Sequence, residues 1–354
     1  MSEAQTTETL KNRTADELVA TSQVSVVMAT LNGARFLERA LSSVREQTVP
    51  PLEIIVVDDG SSDDSVAIAA RMGAVVIAMA HGGVCSARNA GIIRANGTYV
   101  ALMDQDDEWH PEKLERQIEA VRRFPDAVLV ATDAELIDDR GTVTSASFMH
   151  APTRGFDALR PASTEDGFLY FPDLDAQIHE TGWFILPSAT LIRRDALLRV
   201  GMFSEAITLN EDVACFLKLM VQTSSVIVDR PLTRWRIHET NTHRDHVGML
   251  RGRLALTRDA LGTPEIYPQA FVRRLQAELG QLLVSLAREE ARLGKMKTAR
   301  SYLLEAYRLQ PDLKILMMLA SSFAGRAAFE LLAKLRRAVG RPFASDSGSG
   351  HHRV

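Results

Sequence analysis

The sequence predicts an α/β protein, a strand sheet flanked by helices, followed by an all-helical C-terminal appendage. Three observations predict it. Between residues 24 and 132, short apolar and often β-branched runs alternate with segments of helical period. A polar stretch, often with glycine, follows each of the early runs. Beyond Met249 the pattern is wholly helical. Strands that read as continuous apolar runs between helices imply a parallel sheet covered on both faces.

The elements follow in order. Val24 to Thr30 is the first strand. Residues 34–47 put Phe36, Leu37, Ala40, Leu41 and Val44 on one helical face. Residues 52–57 form a second strand running into Asp58-Asp59-Gly60-Ser61, and a short helix covers 65–72. A third strand spans 74–80, a helix 84–95, a fourth strand 99–103, and a helix 111–124 with Pro111 in its first turn. A fifth strand covers 127–132. The rhythm then weakens: 141–177 is loop-rich, 184–191 strand-like, 194–200 and 210–221 helical, and 226–237 a last strand.

The bulk numbers narrow the class. With 354 residues the chain can bury a full core and hold one large domain plus an appendage. A formal net charge of -4 gives no support to nucleic-acid binding. Cys85 and Cys215 are too few for a disulfide framework and lack zinc-ligand spacing, which suits a reducing, cytoplasmic setting. Residues 1–22 are polar, without a signal-like apolar core, and read as a disordered or helical arm. No apolar run is long enough to span a membrane. The organisation read from this is an arm at 1–22, an α/β domain at 23–245, a helical region at 246–342 and a flexible tail at 343–354. Residues 288–341 hold twelve Lys/Arg against five Asp/Glu. They read as a helical appendage packed on the domain or as a basic surface for peripheral contact with an anionic membrane.

Ligands of open α/β sheets bind beyond the carboxyl ends of the strands. That rule gathers Thr30-Leu31-Asn32, Asp58-Asp59-Gly60, His81-Gly82-Gly83 and Asp104-Gln105-Asp106-Asp107 at one rim. The last of these packs three carboxylates closely, which is costly without a compensating charge. A hard divalent cation carrying a diphosphate is one compensation. Capping of the next helix by Asp106 and Asp107 is the other reading. Gly82 and Gly83 open a helix with free N–H groups suited to an anion, and Arg88 one turn on suits a phosphate. Asn210-Glu211-Asp212 opens a helix, where acids belong for dipole reasons, yet one of them could take a proton from a hydroxyl. His238, after the last strand, could complete a metal site with Asp106 and Asp107 or touch phosphate.

Taken in order, these stretches resemble family 2 glycosyltransferases of the GT-A fold. The residues that carry the resemblance are Val24 to Gly33, Ile55 to Ser61, Gly82 to Gly91 with Ala87-Arg88-Asn89, Asp104 to Asp107, Asn210-Glu211-Asp212, and Arg236-Ile237-His238 with Asn241. They span residues 23–245. The resemblance implies a nucleotide-diphosphate sugar donor, most often a UDP-sugar, a Mn²⁺ or Mg²⁺ ion, and inversion by a single displacement. It implies that Thr30, Asn32 and Asp59 meet the nucleotide, with Asp59 accepting from the base. Arg88 would lie near base or diphosphate. Asp104 and Asp106 would address sugar and ribose hydroxyls, and Asp106, Asp107 and His238 would hold the metal. Asp212 would be the general base, with Glu211 and Trp183 positioning the acceptor. Leu31 and Ala29 stand where the family usually has an aromatic residue and proline, which leaves the base open. Residues 287–311 resemble a single tetratricopeptide-type helix pair.

The function these expectations imply is transfer of a sugar to a hydroxyl of a glycan or lipid-linked acceptor, in surface-polysaccharide or related glycan synthesis. The enzyme would be cytoplasmic, either free or peripheral on the inner face of the membrane. Oligomeric state, sugar and linkage stay open. The alternatives are a non-catalytic nucleotide-sugar-binding scaffold, against which the joint presence of Asp59, Asp106, Asp107 and Asp212 argues, and a sugar-phosphate nucleotidyltransferase. The second wants a Gly-rich basic loop after the first strand, where this chain has Asn32-Gly33-Ala34-Arg35.

Overall fold

The computed structural model describes residues 24–178, 183–221 and 223–323, except for the side chain of His243. The arm and tail expected at 1–22 and 343–354, and the end of the helical region, lie outside the described residues. The chain divides into one unit of residues up to 241 plus 266–268, and a second of 242–265 and 269 onward.

In the first unit β1 (Val24–Thr30), β2 (Glu53–Asp58), β3 (Val75–Ala78) and β4 (Tyr99–Asp104) are parallel neighbours in the order β3-β2-β1-β4. Between them run α1 (Leu37–Arg45), α2 (Ser65–Arg71) and α3 (Val84–Arg94). Each begins or ends within a few residues of the span its periodicity indicates. Register fixes the rim: Thr30 pairs with Asp58, and Ala29 with Asp104. Three strand ends therefore present their polar residues side by side. Gly91 lets α3 approach the sheet, since a Cβ there would collide with the Val27 side chain. That close approach also sets the depth of Arg88, one turn earlier.

The sheet is not wholly parallel as expected. The short strands β5 (Glu108–Trp109), β7 (Val143–Ser145), β8 (Ser163–Glu165) and β9 (Phe168–Phe171) add to its far half, around β6 (Ala127–Ile137). β10 (Thr190–Arg193) inserts antiparallel between β4 and β6, and β11 (Ser224–Arg236) completes the set. An apolar run states burial but not direction, so a four-residue antiparallel strand leaves no trace in the pattern. It is shorter than the 184–191 run because Pro187 opens a 3₁₀ turn over Pro187–Ala189. The loop-rich 141–177 stretch holds the β8–β9 pair.

β11 decides the site. It runs parallel to β6, shifts register on either side of Pro231, then pairs Thr233 with Trp109 and Arg234 with Glu108. Proline has no N–H to give the ladder, so the strand bends there. Its end, Arg236 and then His238, is thereby carried against the Asp104–Asp107 loop. Val26, Met28, Leu37, Leu41, Val56 and Met103 share a core with Leu114 and Ile118 of α4 (Lys113–Arg123) on one face of the sheet. The remaining helices of this unit are α5 (Leu174–Gln177), α6 (Arg194–Arg199) and α7 (Glu211–Met220).

The second unit is α8 (His246–Gly262), α9 (Gln269–Arg292), α10 (Met296–Leu309) and α11 (Leu313–Phe323). Leu254, Leu282, Leu283, Leu286 and Ala306 form one cluster, and Ala287, Ala291, Ala299, Leu303 and Met318 a second. Gly294 (φ +77°) makes the tight turn between α9 and α10. Among the described residues no helix is long and apolar enough to cross a membrane.

Candidate active site

The rim at the strand ends is tied together by its own hydrogen bonds. Thr30, 2% exposed, donates its hydroxyl to Gln105 Oε1 at 2.6 Å, and the Leu31 N–H donates to the same oxygen at 2.9 Å. Asn32 takes a left-handed φ of 51°. Its Oδ1 accepts from the Ser62 N–H at 2.8 Å, so this side chain joins the β1 and β2 loops. Asp59 accepts from the Gly82 and Gly83 N–H groups at 2.7 and 2.9 Å and lies 2.8 Å from His81 Nδ1. Two sequence expectations change here. The anion at the α3 N-terminus is the protein's own Asp59, and the Asp59 carboxylate is already engaged rather than open to a base.

Arg88, which the resemblance puts near base or diphosphate, has partners within the protein. It is 5% exposed and faces inward, with Nη2 donating to Asp104 Oδ1 and Nη1 to Glu211 Oε1, both at 2.7 Å. Its guanidinium is spent between two carboxylates, not turned to a diphosphate. The two acids hold its pKa above the ordinary arginine value although burial opposes them. The next residue completes the clamp. Asn89 Nδ2 donates to the Phe203 carbonyl at 2.8 Å, and its Oδ1 accepts from the Phe203 N–H at 3.0 Å. One turn of α3 thus joins β4 to the loop ahead of α7 and to α7 itself.

At the start of α7, Asn210 is left-handed (φ 67°) and no side chain caps the helix. The two acids of the first turn sit in different surroundings. Glu211 meets Arg88. Asp212 is pushed up to about 7, first by burial and then by the Glu211 carboxylate, with Arg88 pulling the other way. A carboxylate balanced near neutrality is matched to taking a proton from a hydroxyl.

Asp104 to Asp107 separate by direction. No side chain caps α4, which removes the capping reading for Asp106 and Asp107. Asp107, 2% exposed, points into the protein, where its Oδ1 accepts from the Arg236 N–H at 2.9 Å. Burial, with Asp106 and Asp104 nearby, holds its carboxyl well above the usual carboxylate range. In this geometry Asp107 anchors the loop to β11. Asp106 Oδ2 instead lies 2.7 Å from His238 Nε2, and Thr240 Oγ1 is 2.9 Å from His238 Nδ1. The Nε2 proton lies toward Asp106 and Nδ1 accepts from the Thr240 hydroxyl, so a cation bound between Asp106 and Nε2 would take the place of that proton. Among the described residues no three His, Cys, Asp or Glu side chains form a ready cage for a metal. A hard cation carried by a diphosphate needs only one or two protein ligands, and the Asp106–His238 pair fits that demand.

Three supporting residues carry no sequence signal that singles them out. Gln105 clips β4 to β1. Ser188 Oγ accepts from the Asp104 N–H at 3.0 Å, from a stretch with no motif. Arg236, wholly buried, donates Nε to the Asp106 carbonyl at 2.8 Å and Nη1 to the Asp138 carbonyl at 2.8 Å, and pairs with Glu108. Its position inside the Arg236-Ile237-His238 motif was the only hint. Trp183 is half-buried, its ring 6.3 Å from that of Phe216 on α7.

Comparison with known proteins bears on family and fold. The profile of glycosyl transferase family 2 matches residues 25–201. An uncharacterized glycosyltransferase of Rickettsia prowazekii is 30% identical over 223 residues, covering 62% of this chain and 65% of that protein. The putative teichuronic acid biosynthesis glycosyltransferase TuaG of Bacillus subtilis is 33% identical over 141 residues, 36% of this chain and 53% of the other. The matches thus span about half to two-thirds of these relatives' own length. Among solved structures, S. aureus TarS 1-349 in complex with UDP-GlcNAc aligns with a TM-score of 0.57 at 15% identity, covering 93% of this chain and 95% of that one. The mannosyltransferase PcManGT from Pyrobaculum calidifontis, in complex with GDP-Man and Mn2+, aligns with a TM-score of 0.53 at 18% identity, covering 91% and 88%. At these identities the structural likeness is one of fold.

Proposed function

The chain belongs to glycosyl transferase family 2 and carries a GT-A type sheet; from that premise we propose that it moves a sugar, with inversion, from a nucleotide-diphosphate sugar to an acceptor hydroxyl. The observation that carries the reading is the Arg88 clamp. It binds Asp104 of the donor-side strand and Glu211 beside the candidate base into one cluster.

In this reading Asp212 takes the proton of the acceptor hydroxyl as it attacks the anomeric carbon. The bond from that carbon to the donor phosphate breaks on the opposite side, and the nucleoside diphosphate leaves. Asp106 and His238 would hold a Mn²⁺ or Mg²⁺ ion, which when bound neutralises charge on the leaving diphosphate. Asp107 and Arg236 keep the loop that carries Asp106 in place. Thr30 and Asp59 line the nucleotide side through the backbone they fix, and Asp104 faces the donor sugar. Leu31, 37% exposed, offers an apolar surface to a base.

The relatives that bear on polysaccharide synthesis point to a glycan or lipid-linked acceptor. Peripheral membrane contact on the cytoplasmic face belongs to the same proposal. Its support is that α11 exposes Leu313, Leu316, Met317 and Phe323 beside Lys314, and that residues 324–341 add five Lys/Arg against one Glu. Failure of the full chain to sediment with phosphatidylglycerol vesicles at low salt would remove that part alone.

The direct test is a thermal-shift screen with UDP-, GDP- and dTDP-sugars, with Mn²⁺ or with EDTA, followed by donor hydrolysis. One nucleotide class should raise the melting temperature only with Mn²⁺, and its sugar should be released. No shift with any class would overturn the reading, and a shift without hydrolysis or transfer would leave a binding protein.

A further inference from the structure

Gln105 stands between two acids with different partners. Asp104 before it is held by Arg88 and Ser188, and Asp106 after it meets His238. The side chain of Gln105 crosses to the loop after β1. Its Oε1 accepts from the Thr30 hydroxyl at 2.6 Å and the Leu31 N–H at 2.9 Å, and its Nε2 donates to the Leu31 carbonyl at 3.3 Å. One carboxamide thus grips Leu31 at both backbone groups, as a neighbouring strand would. Gly33 makes room for it. A Cβ there would collide with Gln105 Oε1 and Thr30 Oγ1, although Gly33 has no left-handed φ to demand glycine.

The next N–H groups of the β1 loop go the other way. Asn32, Gly33 and Ala34 donate to Ser61 Oγ, Ser65 Oγ and Asp63 Oδ2 at 2.8, 2.9 and 3.0 Å, all on the chain after β2. Leu31 is therefore where this loop is tied to the β4 side, and its own side chain is 37% exposed. Asp106 lies between two tethers. On one side Asp107 and Arg236 fix its loop to β11, and both are buried. On the other side is Gln105, which is only half-buried. Water competes for hydrogen bonds that it can reach, and a surface laid over them strengthens them. A base resting on Leu31 would shield the second tether and leave the first unchanged.

We propose that Gln105 is a positioning residue that couples nucleobase to cation: a base on Leu31 steadies the Gln105 tether, and the tether steadies Asp106 for the ion. This rests on the glycosyltransferase reading and adds how its two donor-side contacts are linked. The coupling is reciprocal, so an ion at Asp106 tightens the hold on the base by the same factor. Base and ion together are then held better than the two held separately, which favours the complete donor.

The test reads the Mn²⁺ affinity of the full chain from the electron paramagnetic resonance signal of the free ion. It is measured with and without a saturating amount of the nucleoside whose diphosphate stabilises the chain. A nucleoside has no phosphate to give the ion, so any effect passes through the protein. Mn²⁺ should bind about fivefold more tightly, or better, with the nucleoside present. Gln105→Ala should abolish that gain. So should Gly33→Ala, which expels the carboxamide from the other side while Gln105 itself is kept. The gain is a ratio within each protein, so a general loss of stability or of Mn²⁺ affinity does not imitate its disappearance. No gain in the native chain, or a gain kept by either variant, overturns the coupling. The native comparison needs no variant, so poor folding of one does not shelter the proposal. If instead no nucleoside diphosphate binds the native chain with Mn²⁺, the glycosyltransferase reading itself falls.

Discussion

The rim at the ends of β1, β2 and β4 and the start of α7 differ in how their charges are balanced. At the rim almost every ionic group has an internal partner: Asp59 with two backbone N–H groups, Asp104 with Arg88, Asp106 with His238. At the start of α7, Asp212 is buried and crowded by the Glu211 carboxylate, with Arg88 as the opposing charge. The rim is built before anything binds, and preorganised groups need little rearrangement as charge develops on a leaving group. Under the proposed function, the unmet demand at Asp212 is one that an acceptor hydroxyl would satisfy.

The sharpest way to break this contrast is Asp212→Asn. Removing a general base costs about 10²–10⁴ in rate, and nucleotide affinity should stay unchanged because the rim is independently held. Transfer by the native chain should rise with pH and level off above about 7, because the base works only when ionised. Stability should move the other way. Asp212 binds its proton more tightly folded than unfolded, so its contribution falls as pH rises from the ordinary carboxylate range through 7. At pH 8 the asparagine variant should therefore melt higher than the parent. A variant that transfers sugar normally, or melts lower at pH 8, would put the strain elsewhere.

Arg88→Met tests whether the clamp joins the two regions. It leaves Asp104 and Glu211 without their cation, and breaking a buried pair of this kind costs about 3–5 kcal/mol. Urea denaturation should show it, with Glu211 bearing more of the loss because Asp104 is the more exposed. A loss below about 1 kcal/mol, the range of surface pairs, would mean that solvent already screens the clamp.

The smallest effect expected is at the metal pair. His238→Ala should weaken the Mn²⁺-dependent part of nucleotide binding by about 10–100-fold, leaving the metal-free part intact. Asp107→Asn should affect stability more than Mn²⁺ affinity, because its carboxylate serves the Arg236 backbone. Equal losses of Mn²⁺ affinity in both variants would return Asp107 to the ligand set.

Much of this was legible in the chain. The β1–β4 rhythm, the rim loops and the residues of the Arg88, Asp104–Asp107, Glu211–Asp212 and His238 stretches all lie in local patterns, because apolar periodicity and strand-end polarity are set by neighbours a few residues apart. The direction of each side chain was not. Asp106 and Asp107 are adjacent and chemically alike, and a bend at Pro231 more than a hundred residues away turns one toward His238 and the other into the Arg236 backbone. Arg88 and Asp59 carry the charges that suit a phosphate and a base, and the fold uses both internally because Glu211, Gly82 and Gly83 come within reach. β10 was misread for a related reason, since four apolar residues carry no sign of strand direction. The sequence by itself determined which residues are apolar, which are charged and where elements begin. Only the tertiary structure decided which charges meet, because burial and pairing depend on distances between segments that the chain brings together from far apart.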